Sequence, residues 1–448
     1  MKILKKNANQ SSGSLSWWQL SLIGVGCIIG TGYFLGSSIA IKMTGPSVLL
    51  AFTLAALGTY IVFESLAKMT VADPQEGSFR SYAKKAYGRW AGFSSGWVYW
   101  FSEMLIMGSQ LTALSIFSTF WFPDVPLWVF ASIFAVLGIG VILTGTKGFE
   151  RIENLFAVIK IAAIFMFIIL ALLGLFGVIN GDKASFPTSL GDFFPKGAIG
   201  FWTSLIYAFY AFGGIEIMGI MAMELKNKED APKSGSTMLI LLTSIYLLSL
   251  ALAVSFVSWE KFNPDESPFV TAMASYNLDF FPHVFNGALI IAGFSTMAAS
   301  LFAVTSMTST LAKDGDAPAL FKKKKGKKRN MAALSLTIGG LITSIILALV
   351  MPDKIYEYIT TAAGLMLLYN WFFVLLSAKR LLQMSSFHKI KRWLGMVLIL
   401  AAISGTLFDQ TSRPGFFVSI AFILLIFIVI LLIRKKWNTP TKNDRRLA

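Results

Sequence analysis

Apolar residues along this chain gather in long blocks instead of alternating with polar ones. If the polar clusters between blocks are read as loops, twelve apolar stretches remain, at roughly 17–41, 46–69, 91–120, 127–144, 153–179, 198–223, 235–258, 284–311, 332–350, 356–378, 394–409 and 415–433. Each is near the ~20 residues a helix needs to cross a ~30 Å hydrocarbon core. The pattern predicts an all-α membrane protein with twelve transmembrane helices. The first stretch reads as a span, not as a cleaved leader: it is too long, lacks a small-residue cleavage site, and is followed at once by another span.

Two of the stretches weaken themselves. The first contains "GVGCIIGTGYFLG", five glycines between Gly24 and Gly36, although a glycine inside a helix costs ~1 kcal/mol relative to alanine. Its Gly24, Gly26, Gly30 spacing does not fit a dinucleotide fingerprint, and no strand precedes it. Gly26 and Gly30 alone would suit close helix packing. The sixth stretch, however, carries Gly213 and Gly214 at mid-depth with Glu216 just beyond. Two weakened helices at matching places, five spans apart and running in opposite directions, predict an inverted repeat with discontinuous helices meeting at the bilayer midplane. Bared backbone is tolerated there only where it lines a polar cavity. The N–H groups near Thr31 and Gly32, at the start of a half-helix, suit a carboxylate. Carbonyls near Ile28, Phe212 and Gly213 suit an ammonium, and Tyr33, Phe209, Tyr210 and Phe212 would enclose an apolar side chain. An α-amino acid fits.

Composition agrees with a membrane location. With 55% hydrophobic and 14% charged residues, a soluble domain would expose large apolar patches. The net charge of +16 would suggest nucleic acid, but 32 of the 39 Lys and Arg residues fall in alternate loops and both tails. That bias predicts cytoplasmic termini and an even number of spans, and it leaves no role for nucleic acid. The run "KKKKGKKR" reads as a solvated inner loop, with anionic lipid as the alternative partner.

Ionisable residues within the spans are expensive, at ~2.5–3.5 kcal/mol each at a helix centre, and so draw a functional reading. Lys160 in "FAVIKIAAIF" lies too deep to snorkel easily; it reads as a proton carrier, or as a static ammonium held by carbonyls. Glu216 reads equally as a proton carrier or as a strut for the unwound segment. Glu103 either faces the pathway or is hydrated near the interface, and Glu64 and Glu224 are interfacial. Cys27, the only cysteine, permits no internal disulfide and reads as a packing residue, with pocket lining as the alternative. His283 and His388 have no second ligand at helical spacing, so no metal site is expected. With no catalytic triad, P-loop or zinc motif, an enzyme is not expected.

These residues resemble the amino acid–polyamine–organocation permeases, and among them the bacterial group that includes aromatic amino acid and 4-aminobutyrate permeases. The resemblance runs through "GVGCIIGTGYFLG", "GSFRSYAKKAYGRWAGFSSGWVYW", "FWFPDVPLW", "ENLFAVIKI", "FGGIEIMGIMAMELKNKEDAPKS", "SPFV" and "LAKDGDAP", over nearly the whole chain. It implies a LeuT-like fold of two inverted five-helix repeats, about 17–179 and 198–378, plus two extra helices at about 394–433. Proton-coupled uptake of an amino acid follows from it, without a bound cofactor and with protons favoured over sodium. By position, Thr31 and Gly32 would hold the substrate carboxylate, the carbonyls of Ile28 and Gly213 would take the amino group, Tyr210 would be an aromatic gate, and Lys160 would stand where sodium-coupled carriers place a cation. The chain departs from many relatives in having Gln110 for a glutamate, and in lacking an asparagine near Ala298 and an arginine near Ser306. Ser295 and Thr296 read as a helix-packing surface. The scarcity of further charge near the pocket favours a neutral branched-chain or aromatic substrate. The rival expectations are an exchanger or efflux carrier and, from another class, a membrane amino acid sensor.

Overall fold

The computed structural model describes residues 15–75, 77–144, 146–181, 184–322, 330–350 and 355–437. Most of the run "KKKKGKKR", from 323 to 329, lies outside them. Among the described residues there is no strand, only an isolated bridge between Leu15 and Leu225.

The first predicted stretch is three helices in series, α1 (Trp17–Ile28), α2 (Thr31–Phe34) and α3 (Gly36–Thr44). Then come the long α4 (Val48–Ala72), the short α5 (Ser78–Tyr87), and three more long helices, α6 (Arg89–Thr119), α7 (Leu127–Leu143) and α8 (Thr146–Leu175). After the single turn α9 (Leu190–Phe193), the sixth stretch is split into α10 (Gly197–Tyr210) and α11 (Ile215–Met221). The order then repeats: long α12 (Ala231–Phe256), short α13 (Pro268–Met273), and long α14 (Phe280–Lys313), α15 (Met331–Val350) and α16 (Ile355–Leu381). Two helices, α17 (Ser386–Gly405) and α18 (Arg413–Trp437), follow.

All twelve predicted stretches fold as helix, the first and sixth with breaks inside them. Among the described residues, six helical segments qualify by length and composition as membrane spans on their own, and the pair around the α10–α11 break, bent by 40°, would be a seventh. Several helices overrun the predicted ends. α8 starts at Thr146, not near 153, and α17 at Ser386, not near 394. Charged residues such as Lys389, Lys391 and Arg392 interrupt hydropathy without interrupting the helical ladder, which is closed by backbone bonds alone.

α6 lies between α14 and α16, while α1 packs on α8 and α12, and α4 on α10 and α12. Gly88, at φ +91°, ends α5 in the left-handed conformation open to glycine and turns the chain into α6. α5 is pinned by the fully buried Arg80, which donates to Asp314 Oδ2 at 2.8 Å and to Asp316 just past α14. Arg89 adds a 2.8 Å bond to Asp316.

Candidate functional site

At the first break the helical ladder has no rung. The Ile29 N–H closes on the Val25 carbonyl, and the next backbone bonds, from Tyr33 and Phe34, go to the Gly30 carbonyl. Gly30 between them is extended, at φ −152° and ψ −162°. The N–H groups of Thr31 and Gly32 thus head a new helix, and the Cys27 and Ile28 carbonyls end the old one. A side chain at Gly30 would collide with Thr296 of α14, its Cβ falling 2.6 Å from the threonine methyl. The glycine lets α14 approach bare backbone.

The second break runs from Ala211 to Gly214, where Gly214 has φ +116°. The buried Glu216, 2% exposed, spans it: its carboxylate accepts the Gly214 N–H at 3.1 Å and the indole N–H of Trp371 from α16. The Ala211 carbonyl accepts from the Tyr246 hydroxyl at 3.1 Å.

Between the two breaks lies a narrow cavity of about 40 Å³. Of the predicted binding residues, Ile28, Gly32, Tyr210 and Gly213 line it. Thr31 stands behind this wall. Its hydroxyl donates to Gln110 Oε1 at 2.7 Å, and its carbonyl accepts from the Tyr356 hydroxyl at 3.0 Å. Tyr210 closes one side, with its hydroxyl 2.7 Å from that of Ser109. Phe212 turns away to pack on Tyr246, ring centres 5.2 Å apart. Tyr33 likewise stacks on Tyr246 at 3.8 Å, and Phe209 meets Trp371.

The wall also includes Glu103, which the sequence left undecided, Cys27 and Thr296, which it read as packing residues, and Ile217, which it did not single out. Glu103, 2% exposed, faces the cavity opposite Ser300. Gln110, Thr296 and Ile217 line it too, with Cys27, which also packs on Ala298 and Ala299. Because Glu103 and Gln110 are seven residues apart on one helix, they mark levels ~10 Å apart along it.

Lys160 sits behind the first break, fully buried. Its ammonium donates to the Gly26 carbonyl at 2.5 Å and to Ser295 Oγ at 2.6 Å. Ser295 in turn donates to Glu153 Oε1 at 2.5 Å, and that oxygen is 3.8 Å from the ammonium. Ser295, expected to be a packing residue, is therefore a polar bridge. Glu153 was not anticipated, although it precedes Lys160 by seven residues, two helical turns, and so shares its face.

A bundle of apolar helices that closes a polar pocket between two interrupted helices defines a membrane carrier. The fold is shared with solved transporters: a crystal structure of the manganese transporter of Eremococcus coleocola superposes with a TM-score of 0.59 at 13% identity, covering 93% of each chain. The chain belongs to the amino acid permease family, whose model matches residues 19–445. It is 58% identical over 430 residues, 96% of each chain, to a Bacillus subtilis protein described as the uncharacterized transporter YcgH. It is also 28% identical to the aromatic amino acid transport protein AroP of Escherichia coli K12, over 95% of each chain. It is thus a multi-pass membrane transporter of the amino acid permease family, not an enzyme.

Proposed function

We propose that this permease imports a neutral amino acid, branched-chain or aromatic, across the cytoplasmic membrane together with protons. Bared backbone on both sides of one cavity carries the reading. The N–H groups at the start of α2 offer partial positive charge to a carboxylate, and carbonyls at Ile28 and Gly213 offer partial negative charge to an ammonium. Ile28, Ile106, Ile217 and Ala299 supply apolar wall for the side chain. The relative named for aromatic amino acid transport supports the same substrate class.

Lys160 and Glu216 take the proton-linked steps. Each holds main chain of one broken helix, Lys160 through the Gly26 carbonyl and Glu216 through the Gly214 N–H, so a change of charge at either loosens a segment facing the substrate. An ammonium already placed among a carbonyl, a hydroxyl and a carboxylate favours protons over sodium. The topology consistent with the charge bias has twelve crossings, two inverted repeats at about 17–179 and 198–378, and both termini in the cytoplasm.

Uptake of a panel of labelled amino acids into proteoliposomes, with and without an inward proton gradient, tests this. Gradient-driven accumulation of a neutral apolar amino acid is expected. Uptake that depends only on preloaded amino acid would make the protein an exchanger, and binding without flux would make it a sensor.

A further inference from the structure

Away from the cavity, on the side of the basic loops, the end of α4, the start of α17 and the residues joining α16 to α17 enclose a groove of about 260 Å³. Lys68, His388, Lys391 and Arg392 line it, with one acid, Glu64. That carboxylate is taken twice, by Lys68 at 2.9 Å and by Lys391 at 2.6 Å. His388 Nε2 stands 3.7 Å from it. Three fixed cations thus face one anion.

Arg392 holds the surplus. It is 4% exposed, its Nε has no protein partner, and its Nη1 reaches only a weak acceptor, Met396 Sδ at 3.5 Å. Its guanidinium also lies 5.3 Å from the Trp393 ring centre. A buried, unpaired guanidinium with five fixed donors is costly, and its fork matches phosphate geometry.

Beside the groove, α17 turns an apolar face outward: Ile390, Trp393, Leu394, Val397 and Leu400 are each more than two-fifths exposed. Their spacing puts them on one side of the helix. The stripe lies across the helix from Lys391 and His388, and Trp393 joins it to the hollow, its ring set against the Arg392 guanidinium. A cationic hollow joined in this way to lipid-facing surface is complementary to an amphiphile bearing a phosphate and acyl chains, and a free anion would leave the stripe unused. Trp393 stands where the two meet, the level at which interfacial tryptophans anchor.

We propose that this groove binds an anionic phospholipid, its phosphate on Arg392 and Lys391 with Lys68 nearby, and its acyl chains along the outer face of α17. The site is distinct from the transport cavity and does not depend on which amino acid is carried.

Native mass spectrometry of the purified full-length protein tests it, with phosphatidylglycerol, phosphatidylcholine of the same chains, and inorganic phosphate as separate probes. Phosphatidylglycerol adducts should persist over phosphatidylcholine, and Arg392→Gln and Lys391→Gln should each weaken them about fivefold, with little change for phosphatidylcholine. Lys391, one-fifth exposed, keeps the test valid if the Arg392 variant fails to fold. Equal retention of both lipids, or an unchanged preference in Lys391→Gln, overturns the proposal. So does tight binding of inorganic phosphate that vanishes in Arg392→Gln while the lipids stay indistinguishable, since that would mark a free-anion site.

Discussion

Replacing Glu153 by glutamine tests the buried group behind the first break. Lys160 Nζ and Glu153 Oε1 are 3.8 Å apart, with both side chains buried. At that separation, and at an effective dielectric of ~20, the attraction is ~4 kcal/mol. Removing one member of a buried pair leaves an uncompensated charge, which typically costs ~3–5 kcal/mol. In Glu153→Gln the Gly26 carbonyl and the Ser295 hydroxyl still hold the ammonium, which places the loss near the lower end, at ~3 kcal/mol. Lys160→Met strands the carboxylate with Ser295 alone and should cost a similar amount. The double variant strands neither charge, so it should be more stable than either single variant, with a coupling energy of ~3 kcal/mol. Unfolding in graded sodium dodecyl sulfate, followed by tryptophan fluorescence, measures the cycle. A coupling below ~0.5 kcal/mol, as for independent sites, would refute the pairing. Uptake separates stability from transport: the double variant should regain its fold yet fail to accumulate substrate on a proton gradient, and normal accumulation would remove Lys160 from the mechanism.

A Cβ at Gly32 would fall 2.9 Å from two ring carbons of Tyr210, whereas one at Gly36 meets nothing within 4 Å. Gly32→Ala should therefore weaken equilibrium binding of labelled substrate by ~10-fold or more, and Gly36→Ala should leave it unchanged. Glu216→Ala orphans the Gly214 and Trp371 N–H groups and should lower stability by ~2–4 kcal/mol. Glu216→Gln keeps an acceptor and should stay folded while losing its response to the gradient; full gradient-driven uptake would leave Glu216 a strut. At the end of α14, burial alone would raise the Asp314 carboxyl, but Arg80 and Lys84 outweigh it and hold it below its ordinary value. Its contribution is then fully present above the unfolded value near pH ~4 and is lost as pH falls through the lower folded value. Acid unfolding of Asp314→Asn should show a shallower slope below that pH, and an unchanged slope would count against the ion-pair cluster.

The two breaks were legible because glycine is a poor choice in a membrane helix unless its backbone is wanted. Gly30 taken alone also suited close helix packing, and it was the matching depth of Gly213 and Gly214 in the sixth stretch that turned the pair into two breaks facing one cavity. Lys160 was legible for a similar reason, being too deep for a charge without a purpose. What surrounds it was harder to read. Ser295 resembles any small packing residue until its hydroxyl is placed between two charges, and Glu153 lies among loop charges near the predicted end of its span. Rotamer choice also escapes the sequence: Phe212 and Tyr210 are two residues apart beside one break, yet only Tyr210 turns toward the cavity. The start of α17 was missed because three basic residues were read as a loop, whereas one of them, Arg392, points inward.

Residue 15 donates its N–H to the Glu224 carbonyl at 2.9 Å and accepts the Lys226 N–H at 2.9 Å. These two bonds staple the lead-in to α1 onto the exit from α11, on the side away from α3 and α10. The near halves of both interrupted helices are thereby yoked. Neither can swing alone without tearing a main-chain pair, so a gate on that side would travel as a single leaf.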